Sequence, residues 1–162
     1  MIFLTVGTQL GFDRLVKAMD EWASGHSDIR IFGQIGPGRY KPRHFEYARF
    51  VTPQETRDLT RGSKLIVAHA GIGSIVTALS EERQILVMPR LAERGEHRND
   101  HQLATARKFV GRQGVTVAFD EKALKHELES FLLSDNVKPK ISRFADEELL
   151  NNIRSYLAHI EK

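Results

Sequence analysis

Leu65-Ile66-Val67-Ala68-His69-Ala70-Gly71-Ile72-Gly73-Ser74 decides how the rest of the chain is read. Its first four residues are apolar with no polar alternation, the pattern of a strand buried on both faces. Two closely spaced glycines then turn the chain, and residues 74–82 have the composition of a helix. A buried strand, a glycine turn and a helix make one unit of a parallel α/β sheet.

The same alternation extends in both directions. Residues 2–6 are a short apolar run ending at Gly7, and Phe12, Leu15, Val16, Met19 and Ala23 then recur at helical spacing. Residues 29–35 and 45–51 read as the second and third strands, separated by Gly36-Pro37-Gly38. Thr52-Pro53-Gln54-Glu55 is a capping box with proline at the first helical position. Downstream, residues 84–88 are a strand stopped by Pro89, 91–98 a polar loop, and 100–112 a helix. Residues 115–119 are a last strand, and Asp120 caps a helix through 133. A final helix is expected over 144–160, with Leu149, Leu150, Ile153, Tyr156, Leu157 and Ile160 on one face. The expected fold is a doubly wound, Rossmann-like parallel sheet of about six strands. A single domain covers 1–140, and the segment 141–162 packs on it or docks a partner.

Composition narrows the function classes. The chain has 162 residues, 41% hydrophobic and 28% charged, as in a globular domain. It has no cysteine, which removes disulfides and thiolate chemistry and fits a cytoplasmic setting. No apolar run reaches about 18 residues, and the N-terminus lacks a signal-peptide pattern. A net charge of +3 is too small to argue for nucleic acid, and none is expected.

In such sheets ligands bind beyond the carboxyl ends of the strands, and three polar or glycine-rich loops fall there. The 69–74 turn offers close backbone approach, a helix N-terminus, the His69 donor and the Ser74 hydroxyl, which is chemistry for a phosphate or diphosphate. Its glycines alone fit an empty turn as well. Val6-Gly7-Thr8-Gln9-Leu10-Gly11 repeats the logic. His97-Arg98-Asn99-Asp100-His101-Gln102 suits a polyol such as a sugar, or simply a solvated helix cap. No G-x-x-x-x-G-K-[ST] occurs, and Val76 stands where a dinucleotide fingerprint has its third glycine. His97 and His101 have the spacing of two metal ligands, but no third ligand accompanies them, and no metal is expected.

Together these loops resemble the C-terminal, donor-binding domain of GT-B glycosyltransferases of the family 28 type. That type includes the catalytic subunits of split two-component transferases, in bacterial exopolysaccharide synthesis and in the UDP-GlcNAc transferase of dolichol-linked oligosaccharide synthesis. Val6-Gly7-Thr8-Gln9 with Phe12-Asp13-Arg14-Leu15 is similar to the opening of those subunits. His69-Ala70-Gly71-Ile72-Gly73-Ser74 is similar to their H-A-G-x-G-S turn, and Asp100-His101-Gln102 to the acidic-Gln end of the plant glucosyltransferase signature. The resemblance runs in order through about residues 1–110.

By this resemblance His69, Gly71, Gly73 and Ser74 hold the diphosphate of a UDP-sugar, approached also by Gly7, Thr8 and Gln9. Thr52 and Gln54 edge the uracil; Asn99, Asp100 and Gln102 bind the sugar hydroxyls. Val51 departs from the plant signature's tryptophan, and Thr77 from the ribose-binding glutamate. The implied reaction is an inverting, metal-independent transfer, with His69 and Ser74 stabilising the departing UDP and Glu96 or His97 as a local general base. No cofactor is implied beyond the donor. The resemblance further implies a membrane-anchored partner subunit that binds a lipid-linked saccharide acceptor, holding the chain at the inner face of the membrane. Arg39, Lys41, Arg43, His44 and Arg49 form a basic segment suited to an anionic headgroup, or to plain solvent. A non-catalytic, nucleotide-sugar-binding or stabilising subunit of a glycosyltransferase complex is the alternative; a sugar-nucleotide 2-epimerase would need a second domain.

Overall fold

The structure, a computed structural model, describes residues 1–133. The helix expected over 144–160, and the proposed boundary at 140, lie outside the described residues.

The described residues form six strands and five helices: β1 (Ile2–Thr5), α1 (Asp13–Ala23), β2 (Ile31–Gln34), β3 (Glu46–Ala48), α2 (Pro53–Gly62), β4 (Leu65–His69), α3 (Ile72–Ser80), β5 (Gln84–Met88), α4 (His101–Phe109), β6 (Val115–Val117) and α5 (Glu121–Leu133). A single 3₁₀ turn, Ala92–Arg94, interrupts the loop between β5 and α4. The strands form one parallel sheet in the order β3-β2-β1-β4-β5-β6. The order reverses between β1 and β4, the switch point of a doubly wound sheet.

Strand alternation builds two cores. Ile2, Leu4, Leu65, Val67, Leu86 and Met88 face one side and meet Leu15, Val16 and Met19 of α1 with Leu124 and Leu128 of α5. Phe3, Ile66, Ala68, Ile85 and Val87 face the other, against Ile75 and Ala78 of α3 and Ala106 and Phe109 of α4. Each fully buried apolar side chain contributes about 1.5–3 kcal/mol, so the central strands anchor the loops at their ends.

Several expected boundaries shift for local reasons. β2 starts at Ile31 because the Ile29 amide is taken by the His26 carbonyl in a turn. β3 is cut to three residues, and beyond it the chain departs from the sheet after the Gly36 amide bonds the Arg49 carbonyl. α4 ends at Phe109, short of the expected 112, where Gly111 (φ +75°) and Gly114 (φ +81°) redirect the chain. The capping box forms as expected: Thr52 Oγ1 accepts the Glu55 amide, and Glu55 accepts the Thr52 amide.

The basic segment lies along α1, pinned by two of that helix's acids through its backbone. Asp13 accepts the Arg39 and Tyr40 amides. Asp20, 2% exposed, accepts the Arg43 and His44 amides at 2.8 Å and the Tyr40 hydroxyl at 2.8 Å. Burial alone would raise the Asp20 carboxyl; the His44 amide, the Tyr40 hydroxyl and the Arg43 amide outweigh it, and its pKa lies below the ordinary value. A depressed carboxyl contributes stability that is complete above the unfolded pKa of about 3.9 and is lost as pH falls through the folded value. Asp20→Asn therefore lowers stability by about 1–3 kcal/mol at pH 7. Urea unfolding at pH 7 and pH 3 checks this: the gap between variant and parent narrows at the lower pH, and a gap independent of pH contradicts it.

Candidate functional site

The carboxyl ends of β1, β4 and β5 open on a cleft of about 1000 Å³ at the switch point. Small-molecule sites span roughly 300–1000 Å³, so this one has room for a large ligand.

The first wall starts at the end of β1. The Thr5 hydroxyl donates to Gln34 Oε1 at 2.5 Å and accepts the Gly7 amide at 3.2 Å. Gly7 then turns with φ +76°, a conformation glycine adopts without cost. Thr8 and Gln9 follow on the cleft wall, exposed, with no side-chain hydrogen bond among the described residues.

His69 closes β4 and stands between two glycines. A Cβ on Gly7 would lie 2.9 Å from ring atom Cε1; one on Gly71 would lie 2.8 Å from Cδ2 and collide with Nε2. Ring Nδ1 is buried with no hydrogen-bond partner among the described residues. Burial, and after it the charge of Arg90, drives the ring's pKa down to about 4. At neutral pH His69 can donate one N–H but adds no charge.

α3 begins at Ile72 with an extended Gly71 as its N-cap, two residues earlier than expected. The Ser74 and Ile75 amides return to the Gly71 carbonyl at 3.1 and 3.3 Å. The amides free at the cleft are thus those of Ile72 and Gly73, with the helix dipole behind them. The Ser74 hydroxyl lines the cleft, and the Thr77 hydroxyl donates to the Gly73 carbonyl at 2.8 Å.

The third loop departs most from expectation. Glu96, a candidate base, is only 13% exposed, and both its oxygens are engaged by Arg14, at 2.6 and 2.9 Å; one also accepts the Leu91 amide at 2.9 Å. It is absent from the cleft wall and anchors the loop. Asn99 and Asp100 are also off the wall: Asn99 Oδ1 accepts the His101 amide, and Asp100 Oδ1 accepts the Ala92 amide. Gln102 reaches the cleft, with Oε1 accepting the Arg90 amide at 3.2 Å. His97 and His101 line it as well.

On the α2 side, Gln54 lies along its own helix, donating to Asp58 at 3.1 Å and accepting from Arg57 at 2.7 Å. Thr52 is likewise occupied by its capping box. Val51, Pro53, Thr56, Arg57 and Thr60 face the cleft instead.

Arg57, Arg90 and Gln34 were not singled out by the sequence reading, although all three line the cleft. An arginine directly after a buried central strand was the available signal for Arg90. Among the described residues, two arginines and three histidines line the cleft and no carboxylate does. The field there favours an anion. Among the described residues no cluster of three His, Asp or Glu side chains could hold a metal ion, and no helix is long and apolar enough to cross a membrane.

The profile of the glycosyltransferase family 28 C-terminal domain matches residues 1–154. No curated protein matches the chain in sequence. Among solved structures, the glycotransferase of kitacinnamycin is similar over 87% of this chain and 37% of its own, with TM-score 0.64 and 19% identity. ALG13 is similar over 88% of this chain and 90% of its own, with TM-score 0.62 and 19% identity. UDP-glucose:anthocyanidin 3-O-glucosyltransferase, solved in complex with UDP, is similar over 85% of this chain and 32% of its own, with TM-score 0.61 and 15% identity. The chain therefore spans about a third of the length of two of these structures. At such identities the likeness is one of fold.

Proposed function

Because the chain belongs to the glycosyltransferase family 28 C-terminal domain family, we propose that it is the donor-binding, catalytic subunit of an inverting hexosyltransferase that uses a UDP-sugar. The acceptor is a saccharide linked to a polyprenyl diphosphate, presented at the membrane by a second subunit in polysaccharide synthesis. The observation that carries this reading is the helix N-terminus: the free Ile72 and Gly73 amides open on a large cleft whose wall, among the described residues, has arginines and no carboxylate. A diphosphate is the ligand chemistry that such a seat favours. The glucosyltransferase of similar fold, solved with UDP, supports the same ligand class.

In the reaction the acceptor oxygen bonds to the anomeric carbon, the bond to the β-phosphate oxygen breaks, and its electron pair leaves with UDP. The Ile72 and Gly73 amides, the Ser74 hydroxyl and the neutral His69 N–H donate to that oxygen. One preorganised donor of this kind is worth about 3 kcal/mol. Gln102, through its free amide, and His101 face the sugar. His97 is the remaining local candidate for the acceptor's proton, since Arg14 holds Glu96. The lack of a carboxylate on the wall among the described residues also favours a second reading, a donor-binding subunit whose partner supplies the base.

Gly73→Ala tests the seat itself. A Cβ there meets no atom within 4 Å, so the fold is untouched; alanine in a helix gains up to about 1 kcal/mol over glycine. The added methyl occupies the space a diphosphate needs. Titration calorimetry with UDP is expected to show affinity falling at least about tenfold while thermal stability holds or rises, the size of a 1–3 kcal/mol overpacking penalty. An unchanged affinity in a folded variant, or no UDP binding by the parent, removes the proposal.

A further inference from the structure

Arg90 directly follows β5 and Pro89, and is 3% exposed. Its Nη2 donates to the carbonyls of Val6 at 2.7 Å and Leu10 at 2.6 Å, and Nε reaches the Gly11 carbonyl at 3.4 Å. Its guanidinium carbon lies 5.0 Å from the Phe12 ring centroid. Nη1 has no hydrogen-bond partner among the described residues, and the side chain lines the cleft. Its electrostatic neighbour Glu96 is engaged by Arg14 and forms no ion pair with it. Burial lowers the Arg90 pKa to about 10, with Glu96 pulling the other way, so it is still a cation at neutral pH.

A buried guanidinium with no anionic partner is costly, and carbonyl dipoles and an aromatic face offset only part of that cost. The carbonyls hold one edge of the guanidinium. The free edge belongs to the same cleft as the Ile72 and Gly73 amides. Gly71, which leads into those amides, bounds one part of the His69 ring, and Gly7, on the loop that Arg90 holds, bounds another; the ring's neutrality is partly Arg90's effect. We infer that Arg90 is the fixed cation that receives the diphosphate of the donor, its free N–H edge aimed by the carbonyls of the first loop. This rests on the UDP-sugar reading above. When the bond to the anomeric carbon breaks, the electron pair stays on the β-phosphate oxygen, and Arg90 is the full positive charge facing the anion so formed. Arg90 thus does two things at once: it ties the Gly7–Gly11 loop to the end of β5, and it presents charge to the ligand.

The test compares UDP and uridine, two ligands that differ only in the diphosphate, by ligand-observed NMR titration of the full chain. Arg90→Ala is expected to weaken UDP roughly ten- to a hundredfold, the range for a hydrogen bond to a charged group. Uridine affinity is expected to stay within about twofold, and the salt dependence of UDP binding to flatten. If Arg90→Ala does not fold, Arg90→Lys carries the test. A single ammonium cannot both hold two carbonyls and face the ligand, so UDP weakens at least about fivefold with uridine unmoved. A folded variant that binds UDP like the parent, or loses UDP and uridine in parallel, overturns the inference while leaving the donor reading intact. A parent that binds neither ligand defeats the donor reading instead.

Discussion

Arg14→Ala is expected to lower unfolding free energy by about 3–5 kcal/mol, the cost of stranding one member of a buried ion pair. The Arg14 side chain is 8% exposed and holds four different partners: both oxygens of Glu96, Glu121 at 3.3 Å, the Pro89 carbonyl at 2.9 Å and Met88 Sδ at 3.6 Å. These tie the start of α1 to the exit of β5 and the start of α5. Alanine leaves Glu96 with only the Leu91 amide. The urea midpoint measures the loss; less than 1 kcal/mol would mean that water reaches Glu96 freely. The same variant bears on the general base. If Glu96 were the base, freeing it from Arg14 would change the pH profile of transfer, whereas a loop anchor changes stability and leaves the profile of surviving activity in place.

The second large effect is Gly71→Ala. The Gly71 backbone (φ −82°, ψ 133°) suits any residue, so only the His69 ring forbids a side chain there. A methyl would collide with Nε2, and the ring cannot retreat, because Gly7 already bounds its other side. Displacing the ring costs about 1–3 kcal/mol of stability as overpacking. It also disturbs both the α3 N-terminus and the first loop, so UDP binding is expected to fall by on the order of a hundredfold, beyond the Gly73→Ala loss. Calorimetry with near-UV circular dichroism measures both. Binding that survives in a folded Gly71→Ala would show that the ring position is irrelevant to the ligand.

Why some of this could be read from the sequence and some not follows from what each residue depends on. The apolar runs at 2–4, 65–68 and 85–88 specify buried strands locally, and the capping box at Thr52 is a four-residue event; both appear where expected. Which side chains face the cleft depends on long-range partners. Gln54 has Asp58 beside it, four residues on, and turns to it. Glu96 is claimed by Arg14, 82 residues away, and Arg90 is aimed by carbonyls 79 to 84 residues away. Nothing near those positions in the chain signals such pairings. His69 and Gly71 lie between these cases. Their adjacency was visible, but the ring-between-glycines arrangement needs Gly7 from the loop after β1.

The two outermost strands of the sheet, β3 and β6, are three residues each, and at the β3 margin Arg30 and Glu46 are both exposed and within 4.0 Å of each other. Margins this short, one of them also charged, offer a neighbouring molecule few unpaired amides to extend. Neither flank of the described sheet therefore gives a foreign strand much backbone on which to stack, and a fibre-like ladder has little to start from there.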